Sequence, residues 1–158
     1  MNSRSMNEQS VNSEYCTFRV GEVFCGVRVD DVREIVSDLT VTPVPLASEM
    51  IAGVINLRGQ ILTVVDMCRW LQLGETPADL CSRFHLLADI GNEFVSLWVD
   101  EMGPVIRPVD EEIERVPGHL DPSVASRVEA VARMEEQIVL LLRLEELKEL
   151  RAKAMSAT

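Results

Sequence analysis

From Tyr15 onward, apolar and polar positions alternate with a period of two. Cys16, Phe18 and Val20 are separated by Thr17 and Arg19, Gly21-Glu22 offers a turn, and Val23-Phe24-Cys25-Gly26-Val27-Arg28-Val29 returns with the same period. Two such runs around a short turn predict a β-hairpin. Asp30 or Asp31 is placed to cap a short helix carrying Val32, Ile35 and Val36. Val41-Thr42-Pro43-Val44-Pro45 must then be extended, because each proline disfavours helix in the residue before it. Ser48 to Ala52 reads as a helical turn closed by Gly53. Val54 to Asp66 reads as two strands joined where Gly59 can take a positive φ, and Met67 to Leu73 as a short helix.

Gly74 to Ser82, polar around Pro77, is the best candidate for a linker. Arg83 to Ile90 and Glu93 to Val99 flank Gly91-Asn92 as a second hairpin, and Val105 to Val109 is extended and interrupted by Pro108. A polar loop around Pro117-Gly118 and Asp121-Pro122 leads to strands at Val128–Met134 and Ile138–Arg143, then to a helix from Leu144 to about Met155. Met1 to Ser13 has neither hydrophobic period and reads as a frayed tail.

The two halves resemble each other. Setting Gly21 on Gly91, 70 positions on, also sets Phe24 on Phe94, Val27 on Leu97, Val29 on Val99, Asp30 on Asp100 and Val32 on Met102, without a gap. A second register, 77 positions apart, sets Gln60 on Gln137, Ile61 on Ile138, Val64 on Leu141, Val65 on Leu142, Met67 on Leu144 and Trp70 on Leu147. This implies two copies of one unit, each of about five short strands and a small helix, and each too small to be comfortably stable alone. Closing into a small barrel hides the edges that so few strands leave open. The expected fold is therefore mainly β, two five-stranded barrels packed together, with short helices and a C-terminal helix. The expected boundaries are a tail at 1–13, a first barrel at 14–82, a second at 83–147 and a helical tail at 148–158.

Composition narrows the function. With 47% apolar and 26% charged residues the 158-residue chain has the balance of a globular protein. Its formal charge of −11 would repel phosphate backbones and anionic headgroups, which argues against nucleic acid and membrane as partners. The longest apolar run, Ile138 to Leu142, is far short of the roughly 20 residues of a membrane helix. The first residues lack the apolar stretch of a secretory signal, so a cytoplasmic location is expected. Cys16, Cys25, Cys68 and Cys81 form no CxxC pair, and His85 and His119 lack the spacing of a metal pair. No metal or cofactor is expected.

Asp30, Asp31, Asp66 and Asp100 are the only candidates for a carboxylate pair in acid and base chemistry, and each follows directly on a predicted strand. A cap or turn role explains that position without catalysis. The chain has no GxSxG, P-loop, GxGxxG or HExxH, so no enzymatic activity is expected. Arg58-Gly59 is different: a hairpin bend beside a glycine exposes a guanidinium with five fixed donors. A solvated surface arginine would look the same. The wording around it changes the balance.

Val41-Thr42-Pro43-Val44-Pro45, Met50 to Gly59 with its GxxNLRG, and Val64-Val65-Asp66 together resemble the signature of the CheW-like coupling proteins of bacterial chemosensory arrays. The resemblance runs from about Glu14 to Leu147, and takes in Val32-Arg33-Glu34-Ile35 and Trp98 to Met102. It implies two SH3-like five-stranded barrels and a non-enzymatic scaffold that holds a CheA-type histidine kinase beneath the cytoplasmic tips of chemoreceptors. Its receptor groove would lie between the barrels and its kinase contacts at the barrel ends, which also allows self-association or ring assembly. Carried over by motif, Val32, Glu34, Gly53, Asn56, Leu57, Arg58 and Gly59 belong to the first barrel's contact region. Arg58 would meet a partner carboxylate or carbonyl, with Val32 and Leu57 supplying apolar area, or Glu34 would orient Arg58 from within the same subunit. Val99 and Met102, the repeat equivalents of Val29 and Val32, are either contacts of the second barrel or core. Thr63 stands where the family often has proline, and the pathway served is left open. The alternative function is a small-molecule or peptide-binding barrel pair outside such arrays.

Overall fold

The computed structural model describes residues 13–45, 47–74 and 84–157, with side chains through 152. The first hairpin is β1 (Tyr15–Val20) and β2 (Val23–Arg28). The predicted helix after it is instead a single 3-10 turn at Val29–Asp31 followed by a strand, β3 (Val32–Ser37). Val32, Ile35 and Val36 fit helical spacing, but Val32, Glu34 and Val36 alternate in burial with Arg33, Ile35 and Ser37 once β3 pairs with β6 (Phe84–Asp89). The tertiary partner overrides the local spacing.

A second correction concerns Gly53. The expected helical turn is confined to Glu49-Met50, and β4 (Ile51–Leu57) runs straight through Gly53. Gly53 is not a helix cap. It has φ +153°, and a Cβ there would stand 2.1 Å from the carbonyl oxygen of Thr42, because the backbones of Thr42 and Val54 bond to each other in both directions. β5 (Gln60–Asp66) returns as predicted, and α1 (Met67–Trp70) is shorter than expected. Asp66 caps α1, accepting from the amides of Cys68 and Arg69, so its cap reading holds. The expected linker, beyond Gly74, lies outside the described residues, as does the expected tail apart from Ser13.

The remaining elements are β7 (Phe94–Val99), β8 (Glu101–Ile106), β9 (Ile113–Glu114), α2 (Pro122–Ala125), β10 (Val128–Met134), β11 (Gln137–Leu142) and α3 (Leu147–Ala157). They form two mixed sheets, one for each barrel, in the orders β3-β6-β7-β5-β4 and β8-β1-β2-β11-β10-β9. The mainly β fold is the one expected, with β9 as an added edge.

Both sheets take strands from each side of 82/83, so that boundary does not separate them. The repeat explains how. Shifting the pairs Phe18↔Cys25 and Phe18↔Met102 by 70 positions reproduces Ala88↔Val95 and Val32↔Ala88. Shifting Gly53↔Val64 by 77 gives Ala130↔Leu141. The two registers meet in the parallel pairs, where Val64↔Ser96 corresponds to Leu141↔Gly26. Each copy therefore donates its first hairpin to the other copy's barrel. The connections require it. β3 runs parallel to the second strand of the hairpin it borders, so bordering its own hairpin would mean returning the length of β2, roughly 20 Å, through the three residues of Val29–Asp31. Parallel neighbours need a crossover of about a dozen residues. The equivalent link from β7 to β8 is Asp100 alone, whose carboxylate accepts from the amide of Gly21 at 2.7 Å.

The core follows the exchange. Its largest cluster takes Phe18, Val20 and Val27 from one sheet, Val65, Leu86, Leu97 and Val99 from the other, and Trp70, Leu147 and Leu150 from the helices. Two smaller clusters fill the barrels and are related by the 77-residue offset, Ile55, Leu62 and Val64 in one and Ala132, Val139 and Leu141 in the other. Leu147 and Leu150 are buried, so the start of the expected C-terminal tail is part of the packed domain.

Candidate partner-binding site

β4 and β5 are joined by the two residues Arg58 and Gly59, with φ of +52° and +86°. A type I′ hairpin turn, one of the two that follow strand twist, needs positive φ at both central positions, which glycine supplies freely and arginine at a cost of about 1–2 kcal/mol. Asn56 holds the bend, its Oδ1 accepting the amide of Gly59 at 3.0 Å. The Asn-Leu-Arg-Gly order thus has a mechanical meaning: it fixes the turn that carries Arg58 at the end of the β4–β5 hairpin.

The guanidinium does not hang free. Its Nη1 and Nη2 donate to Oε1 and Oε2 of Glu34 on β3, at 3.0 and 2.5 Å. The Arg58 side chain remains 70% exposed. The hydrogen bond from Arg58 holds the Glu34 carboxyl below its ordinary pKa, and Glu34 in return raises that of Arg58. Two prongs fix the plane of the guanidinium, and its outer face stays available to a second carboxylate or carbonyl.

Of the expected contact residues, the structure brings Glu34, Asn56, Leu57, Arg58 and Gly59 to one mouth of the first barrel. Val32 and Met102, equivalent under the repeat, are half-buried and pack against the main core. Gly53 and Val99 are buried, Gly53 under the Thr42 backbone and Val99 with no exposed surface, so neither meets a partner directly. Exposed aliphatic side chains were missed. Ile35 and Val105 are 44% and 55% exposed and 70 positions apart, and Ile61 and Ile138 are 57% and 51% exposed and 77 apart. The repeat registers pair them, but only the burial of their neighbours reveals them as surface. Among the described residues no group of acidic, histidine or cysteine side chains could hold a metal ion. Nor is any described helix long and apolar enough to cross a membrane.

A CheW-like domain model matches residues 14–151. The chain belongs to the CheW-like domain family. It is 31% identical over 133 residues to chemotaxis protein CheW of Rhizobium meliloti (strain 1021), covering 84% of each chain. It is also 31% identical over 101 residues to protein PilI of Pseudomonas aeruginosa, covering 63% of this chain and 56% of PilI. The crystal structure of the scaffolding protein TtCheW from Thermoanaerobacter tengcongensis superposes with a TM-score of 0.75 at 28% identity, covering 86% of this chain and 92% of that one. CheW-like domains are signalling scaffolds and not enzymes. Asp66 caps α1 and Asp100 accepts from the amide of Gly21, so these two have the cap or turn role.

Proposed function

We propose that this chain is a coupling scaffold that holds a CheA-type histidine kinase at the cytoplasmic tips of chemoreceptors, so that receptor state regulates autophosphorylation. The observation that carries the reading is the Glu34–Arg58 pair, an exposed guanidinium locked in one orientation at a barrel mouth. A pre-oriented charge loses little freedom on binding, so it contributes to a protein contact more than a mobile one does. The exposed Ile35 on β3 and Ile61 on β5 add apolar area to the surface of the same barrel. Such a scaffold works in the cytoplasm, recruited to membrane-associated arrays. The test is capture of receptor signalling fragments and of a CheA-type kinase by native protein and Arg58→Glu. Loss of capture with an unchanged fold supports the contact. Equal capture removes Arg58 from it, and a native protein that captures neither partner removes the whole reading.

A further inference from the structure

The repeat relates two places of opposite electrostatic character. At one, Arg19 on β1 is the register partner of Glu101 on β8, and its guanidinium binds Glu101 at 3.0 Å and lies 3.9 Å from Asp100. Offset by 70 positions, Arg19 corresponds to Asp89, Glu101 to Asp31 and Asp100 to Asp30. The pair Val32↔Ala88 reproduces Met102↔Phe18, and one step further along the strands Asp31 comes opposite Asp89 as Glu101 comes opposite Arg19. A carboxylate thus stands where the other copy has a guanidinium. Neither Asp31 nor Asp89 forms an ion pair among the described residues, while Asp89 Oδ1 accepts the amide of Gly91 at 2.8 Å. Burial pushes the Asp31 carboxyl above its ordinary pKa, Arg28 opposes the rise, and Asp30, Asp89 and Glu129 add to it. Arg28 is itself held by Glu129 at 2.9 Å.

The two aspartates border a cavity of about 500 Å³ at the junction of the sheets. Sites for small molecules run to about 300–1,000 Å³. Ile90, Leu142 and Leu144 give this one an apolar wall. Arg143 and Lys148 line it as well, both exposed and neither in an ion pair among the described residues. Gly91 leaves room for the lysine ammonium, since a Cβ there would stand 2.8 Å from Nζ of Lys148. Asp31 and Asp89 flank the β3–β6 pair of the five-stranded sheet, whereas Arg143 and Lys148 follow β11 of the six-stranded one. Unpaired charges of both signs, supplied by both sheets, therefore share one cavity.

We infer that this cavity binds a small guanidino acid, the class to which free arginine belongs. The ligand's guanidinium supplies at Asp31 and Asp89 what Arg19 supplies at Glu101, and its carboxylate meets Arg143 and Lys148. Bound in this way it ties the two sheets together. The chain's charge of −11 attracts any cation, so selection rests on the carboxylate end. The site takes neither receptor nor kinase, and its test is separate from partner capture by Arg58.

The test is an NMR titration of the full-length, isotope-labelled chain with γ-guanidinobutyrate. The controls are n-butylguanidinium, which lacks the carboxylate, and γ-ureidobutyrate, which lacks the cation. The expected result is saturable amide shifts centred on Asp31, Gly91 and Lys148, with each control at least about tenfold weaker. Asp89→Arg rebuilds the bridge of the other copy from within the chain, and should abolish the response while raising the melting temperature. The double variant Asp31→Asn, Asp89→Asn removes the acidic end without adding bulk, and should abolish the response at a melting temperature no lower than native. Lys148→Met should bring γ-guanidinobutyrate down to the level of n-butylguanidinium. An absent or unsaturable response, shifts centred elsewhere, or an unchanged response in either folded aspartate variant would overturn the assignment. An equal response to n-butylguanidinium would also overturn it, and leave a general attraction of cations to an acidic chain.

Discussion

Glu34 on β3 and Arg58 in the β4–β5 turn, 24 positions apart and on elements that are not sheet neighbours, meet through both carboxylate oxygens and two guanidinium nitrogens. The pair spans the mouth of the first barrel and fixes a charge that remains open to solvent on its outer face. That double role separates effects on binding from effects on folding.

Exposed ion pairs contribute little to stability, so Arg58→Glu should leave the melting temperature within about 2 °C of native while weakening partner capture. The double variant Glu34→Arg, Arg58→Glu rebuilds the pair with its charges exchanged. Capture should stay weak in the double variant, because the cation that faces the partner has gone. Recovery would mean that the pair acts through the shape of the mouth rather than through the charge of Arg58.

Arg58 keeps the Glu34 carboxyl ionised below the ordinary carboxylate range. A lowered folded pKa means the interaction is fully present above the unfolded value, about 4.3, and is lost only as pH falls through the lower folded value. Partner capture through this mouth should therefore be flat from about pH 8 to pH 5. An NMR titration of the Glu34 carboxyl should give a midpoint below that of an unstructured glutamate, returning toward it in Arg58→Gln.

His85 is buried, with Nδ1 2.7 Å from Oγ of Ser96 and its ring stacked on Trp98 at 5.9 Å. Burial pushes its pKa below the ordinary histidine value. The unfolded chain takes up a proton near pH 6.5 and the folded chain only below that, so this contribution is complete above about 6.5 and declines as pH falls. The melting temperature should drop between pH 7 and pH 5, and drop less in the double variant His85→Phe, Ser96→Ala, which lacks both the imidazole and the hydroxyl facing it. Equal slopes would assign the pH dependence to other groups.

Gly53→Ala would drive a methyl group into the Thr42 carbonyl and part the Thr42–Val54 backbone bonds. The expected cost is about 2 kcal/mol or more, a fall of roughly 4–8 °C in melting temperature. Arg58 lies on the same strand pair but away from this site, so partner capture by the folded fraction should persist. Calorimetry alongside capture at low temperature checks both parts.

The start of α3 belongs to the shared core. Leu147→Ala should cost about 2–5 kcal/mol, and Glu149→Ala, on the exposed side of the same helix, within about 0.5. Urea denaturation measures both, and equal small effects would show that α3 is dispensable to the fold.

The hairpins β1–β2, β4–β5, β6–β7 and β10–β11 were legible because each depends on alternation and turn residues adjacent in the chain. β3 is not legible locally, because the spacing of Val32, Ile35 and Val36 fits a helix, and only pairing with β6 selects the strand. Local pattern alone makes Gly53 a helix end, and the resemblance makes it a contact. Its true constraint is the Thr42 backbone lying over it, which no local pattern encodes.

The sequence alone determined the two copies and their registers, since periodicity and repeated residues survive in a one-dimensional string. It also placed Arg58 in a turn, because Asn56 and Gly59 act within a few bonds of it. Which barrel each hairpin completes and how Glu34 comes to grip Arg58 are matters of three-dimensional closure. They depend on groups far apart along the chain, brought together only when short connections force the two copies to exchange hairpins and share one core.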